Sequence, residues 1–264
     1  MALTLDTITL GVPQAEAAYN FYVSAFSPPD AADNGQLDLH GTGQLALRHL
    51  DSLASEANTD ATTSGFRGCV MSSIVSSPGE VEALLEAATA AGARVIKPAK
   101  KQLFGEFTAV YEAPDGAVWK LAAASKKDTA PVPHPPKPIE TAIYLGVAKP
   151  KTSKVFYKQL GMSPYHDYGD KFIDFTIANG QCRLGLLPRK GLAKDVGVDE
   201  NGDGFSAVVL THTADSRDEV DALLETVDTA GGRVTVAAIP THQGDYAGHF
   251  TDPDGFHWKV TTPG

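Results

Sequence analysis

The chain has 264 residues, 42% hydrophobic and 20% charged, enough apolar surface to offset its ordering entropy, which excludes a disordered chain. Its 32 acidic against 22 basic side chains give a formal charge of −10, which excludes nucleic-acid binding by general electrostatic attraction and leaves no basic stripe for a membrane surface. No apolar run approaches the ~20 residues that span a bilayer, no signal peptide is legible, and two distant cysteines, Cys69 and Cys182, make no disulfide framework, so the expected compartment is the cytoplasm.

Residues 4–12 alternate polar and apolar, the period of a half-buried strand, and end in Leu10-Gly11-Val12. Residues 14–26 place Ala17, Ala18, Phe21, Tyr22 and Phe26 at helical spacing. Short strands are predicted over 35–40, 44–50 and 66–75. An amphipathic helix follows over 79–91, with Val81, Leu84, Leu85 and Ala88 on one face and Gly92 as its C-cap. Strands over 94–97, 105–112 and 117–123 come next, the last two joined by the turn Pro114-Asp115-Gly116. Residues 125–138 then carry Pro131, Pro133, Pro135, Pro136 and Pro138, the composition of a stiff, extended linker.

Beyond the linker the chain repeats itself. Leu145-Gly146-Val147 and Phe156-Tyr157 match the first strand and helix at an offset of 135 (145 − 10). Gly79 to Val95 recurs as Asp218 to Val234, and APDGAVWK (113–120) recurs as DPDGFHWK (252–259), at an offset of 139 (259 − 120). Four segments in register mark a duplication, with domains predicted over 1–124 and 139–264. Each copy reads β-α-β-β-β twice, so the chain reads as four such modules of an α+β fold.

These residues resemble the vicinal oxygen chelate superfamily of glyoxalases, extradiol dioxygenases and bleomycin-resistance proteins. The carriers are the strand ending Leu-Gly-Val, the Phe-Tyr pair, the Glu-Val-x-Ala-Leu-Leu helix and the Asp-Pro-Asp-Gly-Phe-His-Trp turn at 252–258. The resemblance implies tandem glyoxalase-like domains whose paired modules form open, barrel-like sheets around cavities. Metal-dependent members place His, Gln or Glu there as ligands to a Lewis-acidic divalent ion. Here the first-strand slots are Thr7 and Ala142, and the last slots are Lys120 and Lys259. The fourth-strand slots fall near Ala46 and Gly185, and the fifth in the windows 67–69 and 206–208. A protonated lysine cannot ligate a cation, so neither a metal nor another cofactor is expected.

The candidate pocket-lining residues are Thr7, Lys120, Ala142, Tyr144, Gly185, His257 and Lys259. A lysine in the cavity would bind an anionic ligand or act as a base if burial lowered its pKa, and otherwise snorkels to water. Trp119 and Trp258 should point to the opposite face, into the core. The second copy also gathers His212, His242 and His249 beside His257, with Asp245 and Tyr246, in spacings that match no metal motif. Residues 199–204 begin like a calcium loop, but Leu210 stands where a glutamate is required, so an acidic surface loop is expected.

The resulting expectation is a metal-independent small-molecule-binding protein of the glyoxalase or bleomycin-resistance type. The alternatives are a lyase or isomerase of the same superfamily using lysine or histidine, and a partner protein that lost its pocket. The expected partners are a small-molecule ligand, with no nucleic acid and no membrane, and a monomer whose two copies pack on each other.

Overall fold

The structure is a computed structural model that describes residues 2–29, 35–102, 105–128, 130–178, 181–241 and 244–263. The first module comprises β1 (Thr7–Val12), α1 (Ala15–Phe26), β2 (Gln36–Asp38) and β3 (Gln44–His49), followed by α2 (Leu50–Glu56) and β4 (Thr63–Gly65). The second is β5 (Cys69–Val75), α3 (Pro78–Ala90), β6 (Arg94–Lys101), β7 (Phe107–Glu112) and β8 (Val118–Ala123). The third is β9 (Glu140–Val147), α4 (Pro150–Gln159), β10 (Pro164–Asp167), β11 (Ile173–Phe175) and β12 (Arg183–Pro188), followed by α5 (Arg189–Val196) and β13 (Gly202–Gly204). The fourth is β14 (Val208–Thr213), α6 (Arg217–Ala230), β15 (Arg233–Pro240), β16 (Tyr246–Thr251) and β17 (His257–Thr261).

Three departures from the predicted elements bear on function. Helices α2 and α5 were not anticipated, although Leu50, Leu53, Ala54 and Ala57 have helical spacing. The first module places two strands after α1 among the described residues, where three were expected. The segment 199–204 is not simply a loop, because its end forms β13, which pairs antiparallel with β4 in a two-stranded ribbon joining the halves.

The sheets cross the halves of the chain. One has the order β15-β16-β17-β14-β1-β3-β2 and joins the first and fourth modules. The other has the order β10-β11-β12-β9-β5-β8-β7-β6 and joins the second and third. The antiparallel seams are β1 with β14 and β5 with β9. Helix α1 packs on α3 and α4 on α6, closing one continuous core around Trp119 and Trp258.

The repeated motifs have local physical reasons. In Leu-Gly-Val, a Cβ on Gly146 would lie 3.0 Å from the Arg189 Cα at the start of α5, and one on Gly11 would lie 2.9 Å from the Leu50 side chain of α2. Glycine therefore lets each short helix close down on its sheet. The tyrosine of the Phe-Tyr pair ties the turn to the core: Tyr22 donates to Asp115 at 2.8 Å and Tyr157 to Asp252 at 2.6 Å. The two buried tryptophan indoles donate to those same hydroxyls, which satisfies polar groups that burial would otherwise penalise.

Candidate functional site

Strand register collects the predicted slots into two rows. Across β3-β1-β14-β17-β16 the neighbours are Gln44, Thr7, Thr211, Lys259 and His249. Across β12-β9-β5-β8-β7 they are Arg183, Ala142, Ser72, Lys120 and Val110. Ala46 and Gly185 lie two residues along on the same faces, beside Thr9 and Tyr144. The fifth-strand positions within these rows are Thr211 and Ser72, which lie outside the windows read from the sequence. The tryptophans occupy the opposite face, as alternation requires.

Neither lysine faces open space. Lys259 donates to Glu56 at 2.8 Å and Lys120 to Asp195 at 2.7 Å. Glu56 ends α2 and Asp195 lies on α5, so each ion pair links a lysine of one half to a helix of the other. The helices lie across the lysine faces. Leu53 and Ala54 pack with Phe205 and Val209, and Leu192, Ala193 and Val196 pack with Phe66, Val70 and Val110. The cavities expected over these faces are thus taken up by protein. Glu56 and Asp195 stand at the same offset of 139 (195 − 56) as the lysines, a signal that a search for paired opposite charges would have found.

The surroundings of the two lysines differ. Burial alone would raise the Glu56 pKa, but the hydrogen bond and charge of Lys259 bring it below the ordinary glutamate value. His249 is 3.7 Å from the same carboxylate, and burial favours its neutral form. His257 is buried, edge-on to Phe205, and its pKa is pushed down to about 4 by desolvation and then by Arg233. On the other sheet Tyr144 lies over Gly185, where a Cβ would be 2.5 Å from its ring, and burial raises its hydroxyl to about 12. Thr7 is half-buried and Ala142 fully buried.

The histidine cluster divides. His249 and His257 share the Lys259 face, whereas His212 pairs with Val260 in register and turns to Thr4 and Asp6 on the other side. Asp245 lies 3.9 Å from Lys259, Tyr246 donates to Asp221, and His242 lies outside the described residues. The rows do not fit a divalent cation. At Thr7, Thr211 and Lys259, and at Ala142, Ser72 and Lys120, hydroxyls, a methyl group and two ammonium groups stand where anionic oxygen or imidazole donors would be needed, and the imidazole in the rows, His249, lies beside the Lys259 ammonium. Among the described residues no group of three His, Cys, Asp or Glu is arranged to hold a metal ion.

Open space lies between the two sheets. A cavity of about 280 Å³ is lined by Leu10 and Val208 of one sheet, by Cys69, Met71 and Val118 of the other, and by Arg67, Arg94 and Ala117. Arg67 donates to the carbonyl of Asp115 and separates this cavity from a second, of about 290 Å³, bounded by Arg189, Ser206, Asp254 and Phe256. The duplicated turn gives the two cavities different linings. Phe256 occupies the position of Ala117 and Ser206 that of Arg67, both at offset 139 (256 − 117). The Phe256 ring is buried and reaches to within 3.5 Å of where a Gly68 Cβ would sit. The mismatch is visible in the sequence as Ala117 against Phe256 at one offset, but nothing local marks it as functional.

A model of the Glyoxalase/Bleomycin resistance protein/Dioxygenase superfamily matches residues 4–121 and 140–260. The chain belongs to that superfamily. Glyoxalase I from Zea mays superposes over 99% of this chain and 92% of its own, with 17% identity and a TM-score of 0.65. A putative dioxygenase from Bacillus subtilis covers 100% and 86%, with 15% identity and a TM-score of 0.60. At these identities the likeness is one of fold. No curated protein matches the chain. Within the superfamily fold, this member places a side-chain ion pair and a helix on each lysine face.

Proposed function

We propose that this superfamily member is a metal-independent small-molecule-binding protein whose ligand enters the cavity beside Arg67 and not the two lysine faces. The observation that carries the reading is that cavity, walled by both sheets and both halves, with an apolar floor and a guanidinium on its side. Ligand sites are typically concave and mostly apolar, with a few placed polar groups. The lysine faces support no such reading, because α2 and α5 cover them and Glu56 and Asp195 take the ammonium groups. The test is a thermal-shift screen of small organic compounds against the full chain and Ala117→Phe, which imports the residue of the other half. Hits lost in the variant support the reading; hits that persist unchanged overturn it.

A second reading, lyase or isomerase chemistry, is favoured by the Lys259 face. There the buried Nδ1 atoms of His249 and His257 lack hydrogen-bond partners beside the Lys259–Glu56 pair. Neutral imidazoles next to a carboxylate are suited to proton transfer. This reading requires α2 to leave the face. Turnover lost in His249→Gln and retained in Ala117→Phe would favour it.

A further inference from the structure

The inference rests on the reading of the Arg67 cavity as the ligand site and names the ligand class. We propose that this cavity binds a compact organic anion, a carboxylate on a small apolar body, with the carboxylate on Arg67 and the body against Leu10, Met71 and Val208. Arg67 is half-buried at the cavity wall, and one of its nitrogens donates to the Asp115 carbonyl oxygen. A guanidinium has five N–H donors in a planar fork, so further donors remain that match a carboxylate.

Of the acidic groups nearby, Asp115 and Glu112 have side-chain partners, while Asp199 accepts a backbone N–H, which does not offset its charge. Asp115 uses its carboxylate on the Tyr22 hydroxyl and the Ala117 N–H. Glu112 at the rim is bonded to Arg94, and Asp199 accepts the Asn201 N–H. The floor of Leu10, Cys69, Met71, Ala117 and Val208 offers no charge. Burial raises the Cys69 thiol to about 11, so this residue presents an uncharged wall and not a thiolate. The volume, slightly below the ~300–1,000 Å³ of drug-sized sites, sets the ligand as compact. The repeat supplies an internal contrast in side chains: the equivalent place in the other half has Ser206 for Arg67 and Phe256 for Ala117, so the cavity there is lined by an aromatic ring and a hydroxyl, with Arg189 as well as Arg67 on its wall.

The test is calorimetric titration of the full chain with three isosteric probes: benzoate, benzamide and benzylamine. Benzoate is expected to bind about tenfold or more tightly than either of the others, the scale of one charged hydrogen bond. Arg67→Ser should weaken benzoate by about tenfold or more, Arg67→Lys should recover part of that loss, and Ala117→Phe should abolish binding. Circular dichroism and the urea midpoint verify folding; should Ala117→Phe fail to fold, Ala117→Leu takes its place. An undetectable benzoate signal at millimolar concentration overturns the proposal, as does unchanged affinity in Arg67→Ser. Benzamide or benzylamine bound as tightly as benzoate, and lost in Ala117→Phe, overturns the anion while leaving the cavity as the ligand site. Binding of all three probes that ignores Ala117→Phe overturns both.

Discussion

The turn APDGAVWK and its duplicate DPDGFHWK build the same corner twice, and the two corners differ where a ligand would enter. Gly116 and Gly255 both adopt left-handed φ, 85° and 90°, as this turn requires. The following Trp is fully buried in each and donates to a tyrosine hydroxyl. Between these fixed points Ala117 leaves a cavity beside Arg67, while Phe256 projects a buried ring toward Gly68 beside Ser206. A duplicated scaffold thus fills one corner with an aromatic ring and leaves the other without one, through Ala117 against Phe256 and Arg67 against Ser206 among the differences between the copies.

The largest expected effect comes from emptying the packed corner. Phe256→Ala should destabilise the protein by about 3–5 kcal/mol, the usual cost of removing a buried phenylalanine, as read from urea unfolding. A loss below about 1 kcal/mol would mean that the ring is not a packing element and that the contrast between the corners is only apparent.

The two lysine pairs sharpen the comparison next. The Glu56 side chain is 34% exposed and also faces His249, whereas Asp195 is 44% exposed. Lys259→Met leaves the more enclosed carboxylate without its partner and should cost about 1–3 kcal/mol, below the full penalty of a deeply buried pair. Lys120→Met should cost about 0–1 kcal/mol, as surface pairs do. Equal losses in parallel denaturant titrations would show that the two faces are energetically alike.

A smaller effect is written in pH. His257 has its folded pKa depressed to about 4 from an ordinary 6.5. Between those values the unfolded chain binds the proton and the folded chain does not, so stability is full above about pH 6.5, falls as pH drops, and levels off near pH 4. Asp252, raised by burial to about 7, works in the opposite sense over the whole of that window. The readout is therefore the difference between wild type and His257→Val, which copies Val118 of the other half. The variant should lose the acid-side decline attributable to this imidazole; identical pH profiles would remove His257 from the account.

The smallest expected effect is none. Overnight dialysis against a strong chelator should leave the unfolding midpoint unchanged, and elemental analysis of the purified protein should find no stoichiometric Zn, Ni, Mn or Fe. About one retained transition metal per sheet would break the argument drawn from Thr7, Ala142, Lys120 and Lys259.

Much of the fold was legible from local pattern. Strand alternation put Trp119 and Trp258 opposite the lysines, and offsets of 135 and 139 revealed the duplication, because side-chain period and repeat register are properties of consecutive residues. The candidate site was less legible. Lys259 was legible only as a candidate pocket-lining residue, because its partner Glu56 is 203 residues away and no local pattern pairs residues so distant. Ala117 and Phe256 were both in plain view, yet that their difference opens a cavity depends on Leu10 and Val208 approaching from the other sheet.

The sequence by itself determined the module, its repetition and the superfamily, since each follows from residue identity and spacing. Only the tertiary structure decided that the first module pairs with the fourth and the second with the third. It also decided that α2 and α5 cover the lysine faces and that the open volume lies beside Arg67. The physical reason is that sheet edges and helix faces of repeated modules are interchangeable as partners. Which pairs form is set by long-range packing of buried surface, a quantity that no window of adjacent residues contains.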